Sequence, residues 1–227
     1  MALRLLLDTA DPEAWSQWLP SGLFEGVTTN PTLLRRVGLP CQIDTLTVLT
    51  QRALELGVAE LHLQAWGEEP AALADRGAAL AALAPGRVLV KLPITRAGAA
   101  AARQLIAAAV PVTFTACYRV EQVLVAAALG ARYIAPYLGR ISDLGGDGHG
   151  ELVAMQRALD GVGATTRLLV ASLRVPSDLS RLAAAGLSTF TLAPNLAAAL
   201  LDHPATEAAA RQFEIDATAP SRSPMDS

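Results

Sequence analysis

Short apolar runs alternate along this chain with longer Ala-, Leu- and Arg-rich segments whose apolar positions recur at helical spacing, and Gly, Pro, Asp or Asn mark many of the joins. The short runs predict eight strands: Arg4–Asp8, Gly26–Asn30, Glu60–Gln64, Val88–Leu92, Val112–Ala116, Tyr133–Tyr137, Leu168–Ser172 and Thr189–Leu192. The periodic segments predict helices over Pro12–Leu19, Gln42–Leu56, Pro70–Leu83, Ala97–Ala109, Val120–Leu129, Glu151–Leu159, Ser177–Ala185 and Leu196–Leu201, with a last one over Ala205–Phe213. Strands that alternate with crossover helices belong to the α/β class, and eight of them predict a single-domain (β/α)8 TIM barrel with an extra C-terminal helix. An open doubly wound sheet shares the alternation, but it seldom needs eight evenly spaced strands, and no GxGxxG follows the first one. The barrel domain is predicted over residues 1–216, and the Ser- and Pro-rich tail 217–227 has too little apolar surface to fold.

A barrel carries its chemistry at the C-terminal ends of its strands. Reading the last inward residue of each predicted strand gives Asp8, Asn30, Gln64, Lys91, Thr115, Tyr137 and Ser172, all polar on otherwise apolar strands. Among them Lys91 stands out. It lies in the run Val88-Leu89-Val90-Lys91-Leu92-Pro93-Ile94, and of the 18 Lys and Arg residues it alone is a lysine. Strand alternation puts Leu89, Lys91 and Pro93 toward the barrel interior, and Val88, Val90 and Leu92 toward the helices. A desolvated ammonium is less stable relative to its neutral form, so its pKa falls toward the range where a free amine attacks carbonyls; an arginine could not do this. Thr28 shares a face with Asn30, and Asp8 is suited either to the site or to capping the next helix.

Composition narrows the partners. The chain is 52% hydrophobic, 17% charged and 4% aromatic with a formal net charge of −3, which gives no electrostatic footprint for nucleic acid or an anionic membrane and favours a small-molecule partner. No stretch approaches a membrane span, and Cys41 and Cys117 lack ligand or CxxC spacing, so two reduced thiols in a cytoplasmic protein are expected. His62 is read as a hydrogen-bonded core residue, His149 and His203 as loop residues.

Leu7-Asp8-Thr9, Val27-Thr28-Thr29-Asn30-Pro31, Val90-Lys91-Leu92-Pro93, Ala135-Pro136-Tyr137 with Arg140, and Ala171-Ser172 occur together and in this order. In these the chain resembles the transaldolase family, in particular its short, fructose-6-phosphate aldolase-like branch, over about residues 4 to 216. The resemblance implies that Lys91 is the Schiff-base residue, that Asp8 and Asn30 bind sugar hydroxyls, with Asp8 also moving a proton at the C4 hydroxyl, and that Arg140, Ser172 and Arg174 bind phosphate. It implies no metal or organic cofactor, ketose phosphate and aldehyde substrates, and a ring-like homo-oligomer, a pentamer or decamer, with the terminal helix contacting neighbours. Glutamine at position 64 and tyrosine at 137 are aldolase-like, because a tyrosine hydroxyl beside Thr115 and Gln64 can hold the water that protonates the enamine. Leu173, Trp66 and the Gly145–Gly150 loop depart from the aldolase pattern and are expected to shape the pocket.

Three readings follow: an aldolase releasing dihydroxyacetone or hydroxyacetone, a transaldolase moving a dihydroxyacetone unit between sugar phosphates, and a non-catalytic barrel that binds a sugar phosphate.

Overall fold

Every predicted strand has a counterpart in the computed structural model, which describes residues 2–219. They are β1 (Arg4–Asp8), β2 (Gly26–Thr28), β3 (Glu60–Gln64), β4 (Val88–Pro93), β5 (Val112–Cys117), β6 (Tyr133–Pro136), β7 (Arg167–Leu168) and β8 (Thr189–Leu192). All are parallel, in the order β7-β6-β5-β4-β3-β2-β1-β8. The bridge Val170↔Phe190 joins the two ends of that order, with the Val170 N–H donating to Thr189 O and the Thr191 N–H to Val170 O, each at 2.9 Å. The sheet thus closes into a (β/α)8 barrel.

Eleven α-helices lie among the described residues: α1 (Pro12–Trp18), α2 (Pro31–Arg36), α3 (Ile43–Glu55), α4 (Pro70–Leu83), α5 (Arg96–Ala107), α6 (Glu121–Leu129), α7 (Leu138–Asp143), α8 (Gly148–Gly161), α9 (Pro176–Ala184), α10 (Pro194–Leu201) and α11 (Pro204–Thr218). The one-and-a-half-turn helices α2 and α7 have no counterpart in the sequence reading, because six residues are too few to display a 3.6-residue period. They shorten β2 and β6: Asn30 and Tyr137 sit at helix N-caps rather than in strands. His149 lies in the first turn of α8 and not in a loop, with Asp147 accepting from the Gly150 N–H to start that helix two residues after the Gly145-Gly146 pair. The terminal helix α11 runs to Thr218, past the expected end of the domain, and the predicted tail lies outside the described residues from 220 onward.

Alternation along the strands divides the core in two. Val88, Val90 and Leu92 point outward into a large cluster between strands and helices, while Leu89 joins Leu6, Tyr133, Ala135 and Leu169 inside the barrel. Below this apolar layer, at the N-terminal end, the interior is sealed by an ionic cluster. The Glu60 carboxylate, 4% exposed, accepts from the Tyr133 hydroxyl at 2.9 Å, pairs with Arg4 at 3.2 Å and also pairs with Arg132. Burial alone would raise this carboxyl, but His62, Arg4 and Arg132 together hold it down at about 2. His62 is fully buried, with Nδ1 hydrogen-bonded to the Thr113 hydroxyl at 2.9 Å and Nε2 3.5 Å from Glu60. Desolvation pushes its imidazole down to about 4 against the pull of the carboxylate, so it is a neutral core residue at pH 7.

Candidate active site

At the opposite end, the C-terminal ends of the strands surround a cavity of about 300 Å³. Asp8, Thr28, Asn30, Lys91, Thr115, Tyr137, Arg140, Ser172 and Arg174 all line it. Lys91 enters from β4 by simple alternation. Only 5% of the residue is exposed, and Nζ donates to the Thr29 carbonyl at 2.9 Å, an oxygen beyond the end of β2. Burial drives the Lys91 ammonium below the ordinary lysine range, and the nearby Asp8 carboxylate works against that shift. The amine is therefore fixed in direction and easier to deprotonate than a surface lysine.

Asp8 does not cap a helix; that task falls to Asp11, whose Oδ1 accepts from the Glu13 N–H at 2.9 Å. Instead, the Thr28 hydroxyl donates to Asp8 Oδ1 at 2.5 Å, and Thr28 is hydrogen-bonded in turn to the Thr191 hydroxyl at 2.6 Å. Thr28 has one proton and gives it to the carboxylate, so Thr191 must be the donor in the second bond. This relay orients the carboxylate and leaves Oδ2 for a ligand. Thr191, on the inner face of β8, was missed in the sequence, where an alternating Thr-Phe-Thr-Leu run reads as ordinary strand. Asn30 Oδ1 accepts from the Leu33 N–H at 3.0 Å, which caps α2 and leaves the amide NH₂ as a donor.

Tyr137 and Thr115 meet hydroxyl to hydroxyl at 2.6 Å. The register of β5 slips between Phe114 and Cys117, with Ala116 at φ 57, so that Thr115 keeps facing the cavity while Cys117 is turned outward into the main core. Ser172 reaches the cavity by a different route from the one alternation suggests. Leu169 points inward and Val170 outward, so Ser172 falls on the outer parity, and β7 ends at Leu168. A left-handed backbone at Ser172, φ 61, breaks the alternation and brings the residue to the rim. Gly139 is packed against it: its N–H donates to Ser172 O at 2.9 Å, and a Cβ there would lie 2.6 Å from that oxygen.

Gln64 departs from expectation. It pairs in register with Lys91 and is half-buried, yet it does not line the cavity and takes no part in the Thr115–Tyr137 pair. Trp66 likewise faces away, stacked under the Arg76 guanidinium at 4.5 Å, and the Gly145–Gly150 segment is absent from the lining, whereas Leu173 is part of it. The rim gains two charged groups that the sequence reading did not name, Arg36 and Asp143, the latter ion-paired with Arg174. Arg140 donates to the Tyr118 hydroxyl at 3.4 Å and lies 4.7 Å from the Tyr137 ring centre. Among the described residues, no group of three or more His, Cys, Asp or Glu side chains could hold a metal ion. No described helix is long and apolar enough to cross a membrane.

A buried amine, an oriented carboxylate, a hydroxyl pair and a cationic rim make a site suited to condensing with a carbonyl and holding an anionic tail.

Comparison with known proteins gives a concordant result. The family described as Transaldolase/Fructose-6-phosphate aldolase matches residues 5–223. A probable transaldolase of Phenylobacterium zucineum is 32% identical over 216 residues, covering 94% of this chain and 96% of that one. A probable transaldolase of Lactiplantibacillus plantarum is 32% identical over 216 residues with the same coverage, 94% and 96%. Among solved structures, the thiamine phosphate pyrophosphorylase of Pyrococcus furiosus superposes with a TM-score of 0.57 at 16% identity, covering 84% of this chain and 85% of the other, a likeness of fold alone.

Proposed function

The chain belongs to the transaldolase/fructose-6-phosphate aldolase family, and from that premise we propose that it is a Schiff-base aldolase that cleaves and forms the C3–C4 bond of fructose 6-phosphate or a similar ketose. The observation that carries this reading is the buried Lys91 amine in a cavity shared with Asp8 and the Tyr137–Thr115 pair.

In this reading the Lys91 amine adds to the C2 carbonyl and water leaves to give the iminium. Asp8 takes the C4 hydroxyl proton, the C3–C4 bond breaks into an aldehyde, and its electron pair neutralises the iminium as an enamine. Asn30 holds a sugar hydroxyl, and Arg140, Ser172 and Arg174 stand where the phosphate would lie. A water on Tyr137 and Thr115 then protonates the enamine at C3, and hydrolysis of the resulting iminium returns the Lys91 amine and free dihydroxyacetone. Gln64 could assist only by turning toward that water.

The second reading, transfer of the enamine to another aldehyde, is favoured by the name of the curated relatives. The test is dihydroxyacetone release from fructose 6-phosphate without an added aldehyde. Abundant release supports the aldolase; a negligible rate that rises only with an acceptor supports the transferase. On the aldolase reading, Tyr137→Phe lowers release on the order of 10²-fold relative to transfer, because a phenyl ring cannot orient the proton-donating water. Equal loss of both activities would remove Tyr137 from that role.

A homo-oligomer is part of the proposal. Helix α11 buries no residue and presents Phe213 and Ile215, 71% and 61% exposed, so among the described residues of its own subunit it finds no core to anchor it. Truncation after Asp202 is expected to reduce the assembly to smaller species in sedimentation velocity; an unchanged mass would assign assembly to other surfaces. Cytoplasmic residence is proposed with it, supported by the free thiols of Cys41 and Cys117.

A further inference from the structure

The hydroxyl pair of Tyr137 and Thr115 does not by itself fix the Tyr137 ring. A 2.6 Å bond between two hydroxyls sets a distance and leaves the phenol free to pivot about it. The backbone holds the residue at its other end, where the Tyr137 N–H donates to Cys117 O at 3.2 Å and the residue caps α7, but two side-chain torsions remain between these points. Two groups close on the ring itself. The Tyr118 ring meets it edge to face, with centroids 5.6 Å apart and planes at 81°, and the Arg140 guanidinium lies 4.7 Å from its centre. The same guanidinium donates to the Tyr118 hydroxyl at 3.4 Å, so the three side chains form a closed triangle.

Of the two supports, Arg140 is exposed, whereas Tyr118 is half-buried and anchored through its backbone. The N–H groups of Tyr118 and Arg119 both donate to Gln122 Oε1, at 2.8 and 3.1 Å, which locks the turn between β5 and α6. The bulge at Ala116 leads into this turn: Cys117 goes outward into the core, and the next ring lies against Tyr137. Tyr118 also lines a second cavity, of about 350 Å³, together with Val120, Ile141 and Leu144. Its ring therefore stands between Tyr137 and that space, and a smaller side chain at 118 opens room for the phenol to swing away from Thr115.

We propose that Tyr118 is a positioning residue for the Tyr137 hydroxyl, its ring holding the phenol against Thr115 in the orientation that serves protonation of the enamine. The use of that hydroxyl rests on the aldolase reading; its placement does not. Tyr118 is absent from the lining of the Lys91 cavity, so it acts through Tyr137 and not on the substrate. Its own hydroxyl faces Arg140, so the ring is the part that supports Tyr137.

Tyr118→Leu and Tyr118→Phe separate ring from hydroxyl, and both should fold, because Tyr118 is only half-buried and borders a cavity. In Tyr118→Leu, dihydroxyacetone release from fructose 6-phosphate is expected to fall roughly 3- to 10-fold relative to transfer to an added aldehyde, the population shift that one edge-to-face contact controls. Borohydride trapping of the dihydroxyacetone adduct should stay within about twofold, since imine formation on Lys91 does not call on Tyr137. Tyr118→Phe should keep the release-to-transfer ratio of the unaltered chain. In a Tyr137→Phe background, Tyr118→Leu should add no further loss, because no hydroxyl is left to place. An unchanged ratio in Tyr118→Leu, an equal loss in Tyr118→Phe, or a full additional loss in the double variant would each overturn the proposal. Crystal structures of the two single variants test placement apart from chemistry. The 2.6 Å contact between Thr115 and Tyr137 should persist in Tyr118→Phe, and in Tyr118→Leu be lost or shared with a second Tyr137 conformer. An undisturbed contact in Tyr118→Leu would likewise overturn the proposal. A disturbed contact in a chain that releases no dihydroxyacetone would remove the aldolase reading and leave the positioning role standing.

Discussion

Replacing Lys91 with alanine or methionine abolishes the borohydride-stable adduct with dihydroxyacetone and lowers kcat on the order of 10⁴-fold or more, the scale on which loss of a covalent nucleophile is felt. The fold should survive both changes. Lys91 is nearly fully buried, its ammonium is disfavoured by desolvation, and the 2.9 Å bond to the Thr29 carbonyl is its only side-chain hydrogen bond among the described residues. Methionine fills the same space without a charge, so its thermal midpoint should equal or exceed that of the unaltered protein. Intact-mass analysis after reduction, with thermal unfolding of the same samples, checks both halves. Because Lys91 is the only lysine, an adduct on the unaltered chain that disappears in the variant has one side-chain address. An adduct that persists in a folded Lys91→Met protein would sink the assignment.

The second large effect is on stability and lies at the other end of the barrel. Glu60→Ala is expected to destabilise the fold by about 3 kcal/mol in urea unfolding, the low end of the range for breaking a buried ion pair. The low end applies because Arg132 is about half in solvent and Arg4 keeps Glu25 at 2.7 Å, so only part of the cationic cluster is stranded. The pH dependence should identify the cause. Glu60 titrates at about 2 in the folded chain against an ordinary value near 4.5, so its contribution is complete above about 4.5 and is lost as pH falls through that interval. His62, also depressed, is protonated in the unfolded chain near 6.5 but in the folded chain only near 4, so acid pulls toward unfolding there first. Stability should decline from about pH 6.5 downward in the unaltered protein. In Glu60→Ala the portion between about 4.5 and 2 should flatten. A variant with undiminished stability and an unchanged acid limb would show that the cluster is merely a solvated rim.

Much of this site is legible in the sequence because β alternation carries it. Asp8, Lys91, Thr115 and Thr28 stand at inward positions, and a polar residue at the end of an apolar strand in a parallel barrel has little else to face. The outward assignment of Val88, Val90 and Leu92 follows from the same parity. Legibility stops where the backbone leaves regular strand. Ser172 enters the cavity through a left-handed residue, and the bulge at Ala116 turns Cys117 outward where alternation would point it inward; neither conformation is signalled by residue type, since Ser and Ala avoid that region. Arg36 was hidden for another reason, since the short helix that carries it shows no period and its neighbour Arg35 looks the same on paper. Gln64 is the exception among the strand ends: parity directs it inward beside Lys91, yet it is not part of the cavity lining.

The ionic cluster of Glu60, Arg4, Arg132 and Tyr133, with the apolar layer above it, makes the barrel a vessel with a floor. A ligand of the cavity at the other end therefore does not pass through the barrel axis. On the proposed chemistry, the first aldehyde has to vacate the cavity that Lys91 shares with the rim before a second aldehyde can approach the enamine, so the two half-reactions share one space and are separated in time. Transfer between two sugars would then be an exchange of occupants, never a meeting of them.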